Sequence, residues 1–280
     1  MSQLFITGAT GTVGQEVITA LSAKGFNEVT AASRNASPVA GAQAVAFNYD
    51  DPATFSTVSG HTAVFLVGPP LNPGLFEQLE PFVDYLAANG RPRVVYLSGN
   101  GMQDMPALPF HGRMEEKLAQ SGLGVTVLRP GFFATNFANY ERENIEQRGM
   151  LFNPAGHGKT TFIDPRDIGA VAAEVLLDER HVGKTYTLTG TQAYEMNEVA
   201  QKISALTNQP ISFPAPSNEV YRQVLLDSGT PAFIADYMIP IYNLIRDGKA
   251  ELVTTDVEDI IGWTPTSLDE VLQRSFQATA

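Results

Sequence analysis

A doubly wound α/β fold, one parallel sheet between two layers of helix, is what this 280-residue chain predicts. Short β-branched apolar runs alternate with glycine-bearing turns and segments of helical period. Alternation of that kind asks for a parallel sheet with right-handed crossovers. Several runs are apolar on both faces, as strands covered from both sides are. Three glycines, Gly8, Gly11 and Gly14, sit between the first run and the first helical segment, where such folds turn tightly.

Strands are expected at Gln3–Thr7, Val29–Ala32, Ala44–Phe47, Ala63–Val67, Val94–Ser98, Val125–Arg129, Thr161–Ile163 and Thr185–Thr189. Val13, Val17, Ile18 and Leu21 line one face of a first helix. Leu75, Leu79, Phe82, Val83 and Leu86 line another, closed by Asn89-Gly90. Asp51-Pro52 and Asp164-Pro165 each offer a capping side chain followed by proline at the first helical position. The Asp-Pro-x-Asp spacing of Asp164 and Asp167 fits capping better than catalysis. After Arg129 the alternation weakens. Residues 131–160 are rich in aromatics and asparagine, residues 191–262 read as helices joined by proline-containing loops, and Ser267-Leu-Asp-Glu270 is a capping box opening a last helix. The expected division is a sheet core of residues 1–130 plus about 161–190, and a smaller, mostly helical lobe of 131–160 and 191–280.

Composition narrows the function. There are 18 basic and 30 acidic residues, a formal charge of −12. So negative a surface repels phosphate backbones and anionic lipid, which makes nucleic acid and membrane poor partners. The absence of cysteine excludes disulfides, thiolate metal sites and a cysteine nucleophile. His61, His111, His157 and His181 fall at no metal-ligand spacing. No apolar run approaches the roughly 18 residues a membrane span needs. The chain runs from Met-Ser-Gln directly into Leu4-Phe5-Ile6, so a cytoplasmic location is expected. With no heptad repeat, monomer and dimer both stay open.

Gly8-Ala9-Thr10-Gly11-Thr12-Val13-Gly14 follows a strand and opens a helix. Glycines there allow a tight turn, close approach of main chain to a diphosphate, and close helix–strand packing, while the helix start offers unsatisfied N–H groups to negative charge. A dinucleotide-binding Rossmann core is expected. Sites for the unphosphorylated dinucleotide carry an acidic residue about 20 residues further on. Here the second strand ends Ala32-Ser33-Arg34-Asn35, without a carboxylate. Arg34 suits a 2′-phosphate and adenine stacking, and Ser33 can add a hydrogen bond. NADPH is therefore the expected cofactor, with NADH the second option; a solvated loop charge is the competing reading of Arg34.

Thr7–Gly14, Ser33-Arg34-Asn35, Asn48-Tyr49-Asp50, Val95-Tyr96-Leu97-Ser98, His111–Leu118, Leu128–Phe133 and Phe162–Ile168 together resemble the NmrA-like group of atypical short-chain dehydrogenase/reductases. The resemblance spans nearly the whole chain, including Gly183–Gly190. That group includes NAD(P)H-dependent quinone oxidoreductases, dye and imine reductases, and redox sensors that bind the cofactor without turnover. The resemblance implies that Gly8, Thr10, Gly11, Thr12, Val13 and Gly14 hold the pyrophosphate. It puts Asp50 at the adenine edge, Gly68 and Pro69 along the nicotinamide ribose, and Ser98 beside the nicotinamide. A helix cap near Pro52 is the other reading of Asp50, and a turn hydroxyl that of Ser98.

The larger family uses Tyr-x-x-x-Lys for proton transfer, but the matching segment here is His111-x-x-x-Glu115. Four residues put both side chains on one helical face. His111 is suited to hold a ribose hydroxyl or supply a proton, and Glu115 beside it is expected to raise its pKa. Packing or capping is the alternative role for His111. The catalytic candidates are thus His111, Ser98 and Glu115. Loss of the tyrosine argues against alcohol–ketone chemistry. It leaves hydride transfer to a conjugated carbonyl, quinone or iminium compound, which stabilises its own charge. Phe133, Asn136, Phe137 and Phe152 are the candidate substrate contacts, for an aromatic or conjugated small molecule. A non-catalytic NADP(H)-sensing regulatory protein is the rival reading.

Overall fold

The computed structural model describes residues 3–277. In chain order its strands are β1 (Leu4–Ile6), β2 (Val29–Ser33), β3 (Gln43–Ala46), β4 (Ala63–Leu66), β5 (Arg93–Leu97), β6 (Val125–Pro130), β7 (Phe132–Phe133), β8 (Lys159–Ile163), β9 (Thr185–Leu188) and β10 (Ala193–Glu195). The helices are α1 (Thr12–Ala23), α2 (Leu75–Ala88), α3 (Phe110–Gln120), α4 (Asn136–Asn139), α5 (Arg142–Arg148), α6 (Pro165–Leu177), α7 (Met196–Thr207), α8 (Asn218–Asp227), α9 (Ala232–Arg246), α10 (Asp256–Ile261) and α11 (Leu268–Gln277). The chain forms two compact units. One holds the chain up to Pro130, Pro165–Leu188 and Asp256–Trp263; the other holds Gly131–Asp164, Thr189–Thr255 and the chain from Thr264.

The first unit is the predicted doubly wound fold. Among the described residues its sheet has seven strands, all parallel, in the order β3-β2-β1-β4-β5-β6-β9. Every residue of β1 and β4 is buried, which is why those runs are apolar on both faces. Strand order reverses at β1, which has β2 on one side and β4 on the other, so the turn after β1 opens at the switch point where such sheets hold ligands. Helices α1 and α6 meet backbone to backbone: a Cβ at Gly169 would lie 2.6 Å from the carbonyl carbon of Glu16. Lys24 of α1 and Glu174 of α6 form an ion pair along the same contact.

The second unit has its own core, in which Phe137, Leu151, Phe162, Val199, Ile203 and Ile245 are buried together. Its sheet runs β10-β8-β7. This differs from the expectation for residues 161–163. Strand β8 pairs antiparallel with β10 (Thr161 opposite Ala193) and parallel with β7 (Phe162 opposite Phe132), and has no place in the main sheet. A run so short carries no mark of which sheet will take it. Residues 256–263, expected in the helical lobe, belong to the first unit, where Asp256 Oδ2 accepts the backbone N–H of Thr187 at 2.6 Å. The expected capping box is present, with Ser267 N donating to Glu270 Oε2 (3.0 Å) and Glu270 N to Ser267 Oγ (3.3 Å). Asp51 caps the short helical turn at Pro52–Val58. Asp164 is buried, and its Oδ2 accepts from Arg274 at 2.6 Å. No helix among the described residues is long and apolar enough to cross a membrane.

Candidate functional site

The turn after β1 is built so that only glycine fits at its tight points. Gly8 has φ +57°, a left-handed conformation, and a Cβ there would lie 2.7 Å from Val67 Cγ1. The N–H of Gly11 closes the turn on the Gly8 carbonyl at 2.9 Å. Gly14 is already in α1, and a Cβ on it would meet the Gly8 carbonyl oxygen at 2.3 Å and Ala9 Cα at 2.9 Å. Gly11 caps α1 without a side-chain hydrogen bond, so the first-turn amides of Thr12 and Val13 are not consumed by a cap. The result is a concave strip of main chain at a helix N-terminus, suited to a diphosphate.

The neighbouring strand end is tied to this turn. The Thr7 hydroxyl donates to the Phe65 carbonyl (2.8 Å) and accepts the Val67 N–H (2.9 Å), while the Tyr49 hydroxyl donates to the Val67 carbonyl (2.9 Å). Burial pushes the Tyr49 phenol up, so it stays a donor. Gly68 follows, where a Cβ would crowd Leu75 at 2.1 Å, and then the exposed Pro69. At the end of β2, Ser33 Oγ accepts the Ser37 N–H (3.0 Å), which leaves its own proton free to donate. Arg34 is exposed and takes part in no ion pair among the described residues. Asp50 is exposed and both its oxygens accept from the Gln78 amide, at 2.9 and 3.0 Å; the capping role belongs to Asp51.

His111 and Glu115 share one face of α3, four residues apart. The side chains opposite them come from β5 and the residue that follows it, Tyr96 and Ser98, two residues apart along the chain. A strand advances about 6.6 Å in two residues and a helix about 6 Å in four, so the two pairs are in step. Ser98 Oγ donates to Glu115 Oε1 at 2.6 Å, and the Tyr96 hydroxyl lies 2.7 Å from His111 Nδ1. Arg129, from β6, grips Glu115 with its Nε (3.2 Å to Oε1) and an Nη2 contact to Oε2. Ser98 and Tyr96 are buried.

This corrects the expectation for His111. Glu115 is not its partner: the carboxylate is neutralised by Arg129 and occupied by Ser98. Burial is then the force on the imidazole and pushes it down to about 4. The neutral ring shares one hydrogen bond with the Tyr96 hydroxyl through Nδ1, and Nε2 is its other polar atom. In the unfolded chain the same imidazole titrates near 6.5. Its contribution to stability is therefore complete above about pH 6.5 and is lost as pH falls toward 4. His111→Gln keeps a hydrogen-bonding group for Tyr96 and removes the titration. Urea unfolding should show wild type losing about 3 kcal/mol more than the variant between pH 7 and pH 4. Equal losses would disprove this account of the ring.

Tyr96 and Arg129 fall within the motifs of the resemblance, but those motifs alone give them no role in the candidate site. Their signal was present: a polar side chain at the end of each of two apolar strands that are neighbours in the sheet, facing a helix with polar residues at i and i+4. In the second unit, Phe133 lies in β7, Asn136 opens α4 and Phe152 follows Leu151, all half-buried. Phe137, expected to contact substrate, is core instead, 5% exposed with its ring 5.1 Å from that of Phe162.

The NmrA-like family model matches residues 1–272. An NAD(P)H azoreductase from Xenophilus azovorans is 30% identical over 249 residues, 86% of this chain and 86% of that protein. Quinone oxidoreductase 2 of Escherichia coli is 27% identical over 283 residues, 97% of this chain and 98% of that one. The crystal structure of an NADPH-dependent quinone oxidoreductase from Escherichia coli in complex with NADPH superposes with a TM-score of 0.89, at 24% identity, over 98% of this chain and 100% of its own. With the glycine turn and the seven-stranded sheet in place and the match running through residue 272, the chain belongs to the NmrA-like family.

Proposed function

We propose that the protein is an NADPH-dependent oxidoreductase that reduces a conjugated carbonyl, quinone or iminium-type small molecule without a Tyr-x-x-x-Lys pair. The observation that carries this reading is the main-chain strip of Gly8–Gly14, where a side chain at Gly8 or Gly14 would collide with the turn itself. When bound, the reduced nicotinamide supplies a hydride to the acceptor. The chain's own residues do the rest. The amides at the start of α1, with Thr10 and Thr12, hold the diphosphate. Arg34 and the free hydroxyl proton of Ser33 take the 2′-phosphate. Asp50, held by Gln78, accepts from the adenine edge, and Gly68 and Pro69 pass the second ribose.

Ser98 already gives its proton to Glu115, so toward a ligand it acts as an acceptor. His111 is neutral, with Nε2 its remaining polar atom. Neither is a strong acid at neutral pH, which favours acceptors that carry their own charge in the transition state. Two relatives bear the names azoreductase and quinone oxidoreductase, which supports the same chemistry.

The test is consumption of NADPH, followed by nicotinamide absorbance, across a panel of quinones, azo dyes and cyclic iminium compounds. Turnover of at least one class is expected. Tight NADPH binding with no turnover across the panel would instead favour the sensor reading. For cofactor choice, Arg34→Ala should raise KM for NADPH by roughly tenfold to a hundredfold, the loss of one charge-assisted pair. KM for NADH should stay unchanged. An unaltered NADPH preference would remove Arg34 from the site.

A further inference from the structure

Glu141 is a buried carboxylate in the second unit, 9% exposed, and takes part in no ion pair among the described residues. Asp164, the other buried acid of that unit, has Arg274. Among the described residues Glu141 is held by neutral donors: Asn144 Nδ2 at 3.0 Å, the Asn153 side chain and the Phe152 backbone. A charge buried among neutral partners is costly, and a cation brought to it recovers much of that cost. Asn153 is 1% exposed, and its Oδ1 is a second buried acceptor with no hydrogen-bond partner among the described residues.

Aromatic rings continue from this pair of acceptors. The Phe152 ring lies 6.1 Å from Tyr221, Tyr221 lies 5.9 Å from Tyr242 in an edge-on arrangement, and Tyr242 stacks with Phe132 at 6.4 Å. Phe132, Phe152 and Tyr242 are only half-buried, so the cluster is not sealed core. Burial and the nearby Glu141 charge push both phenols up, which keeps them neutral and their faces electron-rich. The described residues of the cluster supply acceptors and π faces but no cation.

We propose that this unit binds an aromatic cation, an iminium or quaternised ring nitrogen, with Glu141 as counter-ion and Phe152, Tyr221 and Tyr242 as its walls. As a statement about the acceptor that is reduced, this rests on the reductase reading; as a binding site it stands without turnover. Hydrogen-bond donors on the cation would also satisfy Asn153.

The experiment is an equilibrium titration of the full chain by ligand-observed NMR with N-methylquinolinium and its neutral isostere 1-methylnaphthalene. Wild type should bind the cation at least about tenfold more tightly, the margin expected of a desolvated cation–π contact with a counter-ion. Glu141→Gln should erase most of that margin and leave the naphthalene within about twofold; Tyr242→Leu should weaken both ligands. Equal affinity of wild type for the two ligands, or no binding of either, overturns the proposal even where a variant fails to fold. So does a Glu141→Gln protein that keeps the full preference. Calorimetry with NADP⁺ on the same samples reports on the glycine turn separately, so loss of one reading is distinguishable from loss of the other.

Discussion

Gly14→Ala is expected to weaken NADP⁺ binding by about a thousandfold. The added carbon would sit 2.3 Å from the Gly8 carbonyl oxygen and 2.8 Å from its carbon, and both belong to main chain that cannot rotate away. The turn must therefore move off the start of α1, and the amides that converge on the diphosphate separate. Two or three hydrogen bonds to a charged group, at about 1.5–3 kcal/mol each, make a loss on the order of 4 kcal/mol. Calorimetry checks the affinity and thermal unfolding checks the fold. The variant should also lose about 1–3 kcal/mol of stability, as overpacked sites do. A variant that binds within threefold of wild type would mean that the turn does not hold the dinucleotide.

Glu115→Ala is expected to be the most damaging change among the side chains of α3. Glu115 is 12% exposed and ties α3 to the end of β5 and to β6, receiving Ser98 just past the one strand and Arg129 from the other. Deleting one partner of such a pair leaves a guanidinium and a hydroxyl without their acceptor, at about 3–5 kcal/mol. For a domain of this size that corresponds to roughly 8–16 °C in Tm. Glu115→Gln, which still accepts from Ser98, should fall between the two. Reductase activity should drop in the same order, because Ser98 is oriented through Glu115. Calorimetric Tm values within about 2 °C of each other for all three proteins would show that the network is solvated and idle.

The strands and the glycine turn were legible because their signals are local. A β-branched run apolar on both faces can only be covered twice, and Gly8, Gly11 and Gly14 are spaced as a turn entering a helix requires. The sheet that would take residues 159–163 was not legible, since pairing depends on β7 and β10, two very short strands that periodicity does not reveal. The site shows the same limit. His111 and Glu115 were picked by their i, i+4 spacing on one helix, but their partners come from other strands. Without the contact between Arg129 and Glu115, which no spacing shows, Glu115 looks like the neighbour that would charge His111; once Arg129 holds the carboxylate, desolvation decides and the imidazole stays neutral. Phe137 was misjudged for a related reason, because an aromatic facing a core and one facing a ligand have the same sequence pattern.

The touching of α1 and α6 at Glu16 and Gly169 has a consequence for how the diphosphate strip works. A helix leaning on another through flexible side chains can recoil by a fraction of an ångström when an anion arrives, and part of the binding free energy then goes into pulling it back. With main chain resting on main chain, α1 has no such slack. Its amides are aimed by folding itself, so entropy lost on association falls on the ligand far more than on the protein. Amide hydrogen exchange in the body of α1, from Glu16 to Ala23, should accordingly be slow before NADP⁺ is added and change little afterwards, while the uncapped amides of Thr12 and Val13 gain protection when the diphosphate binds.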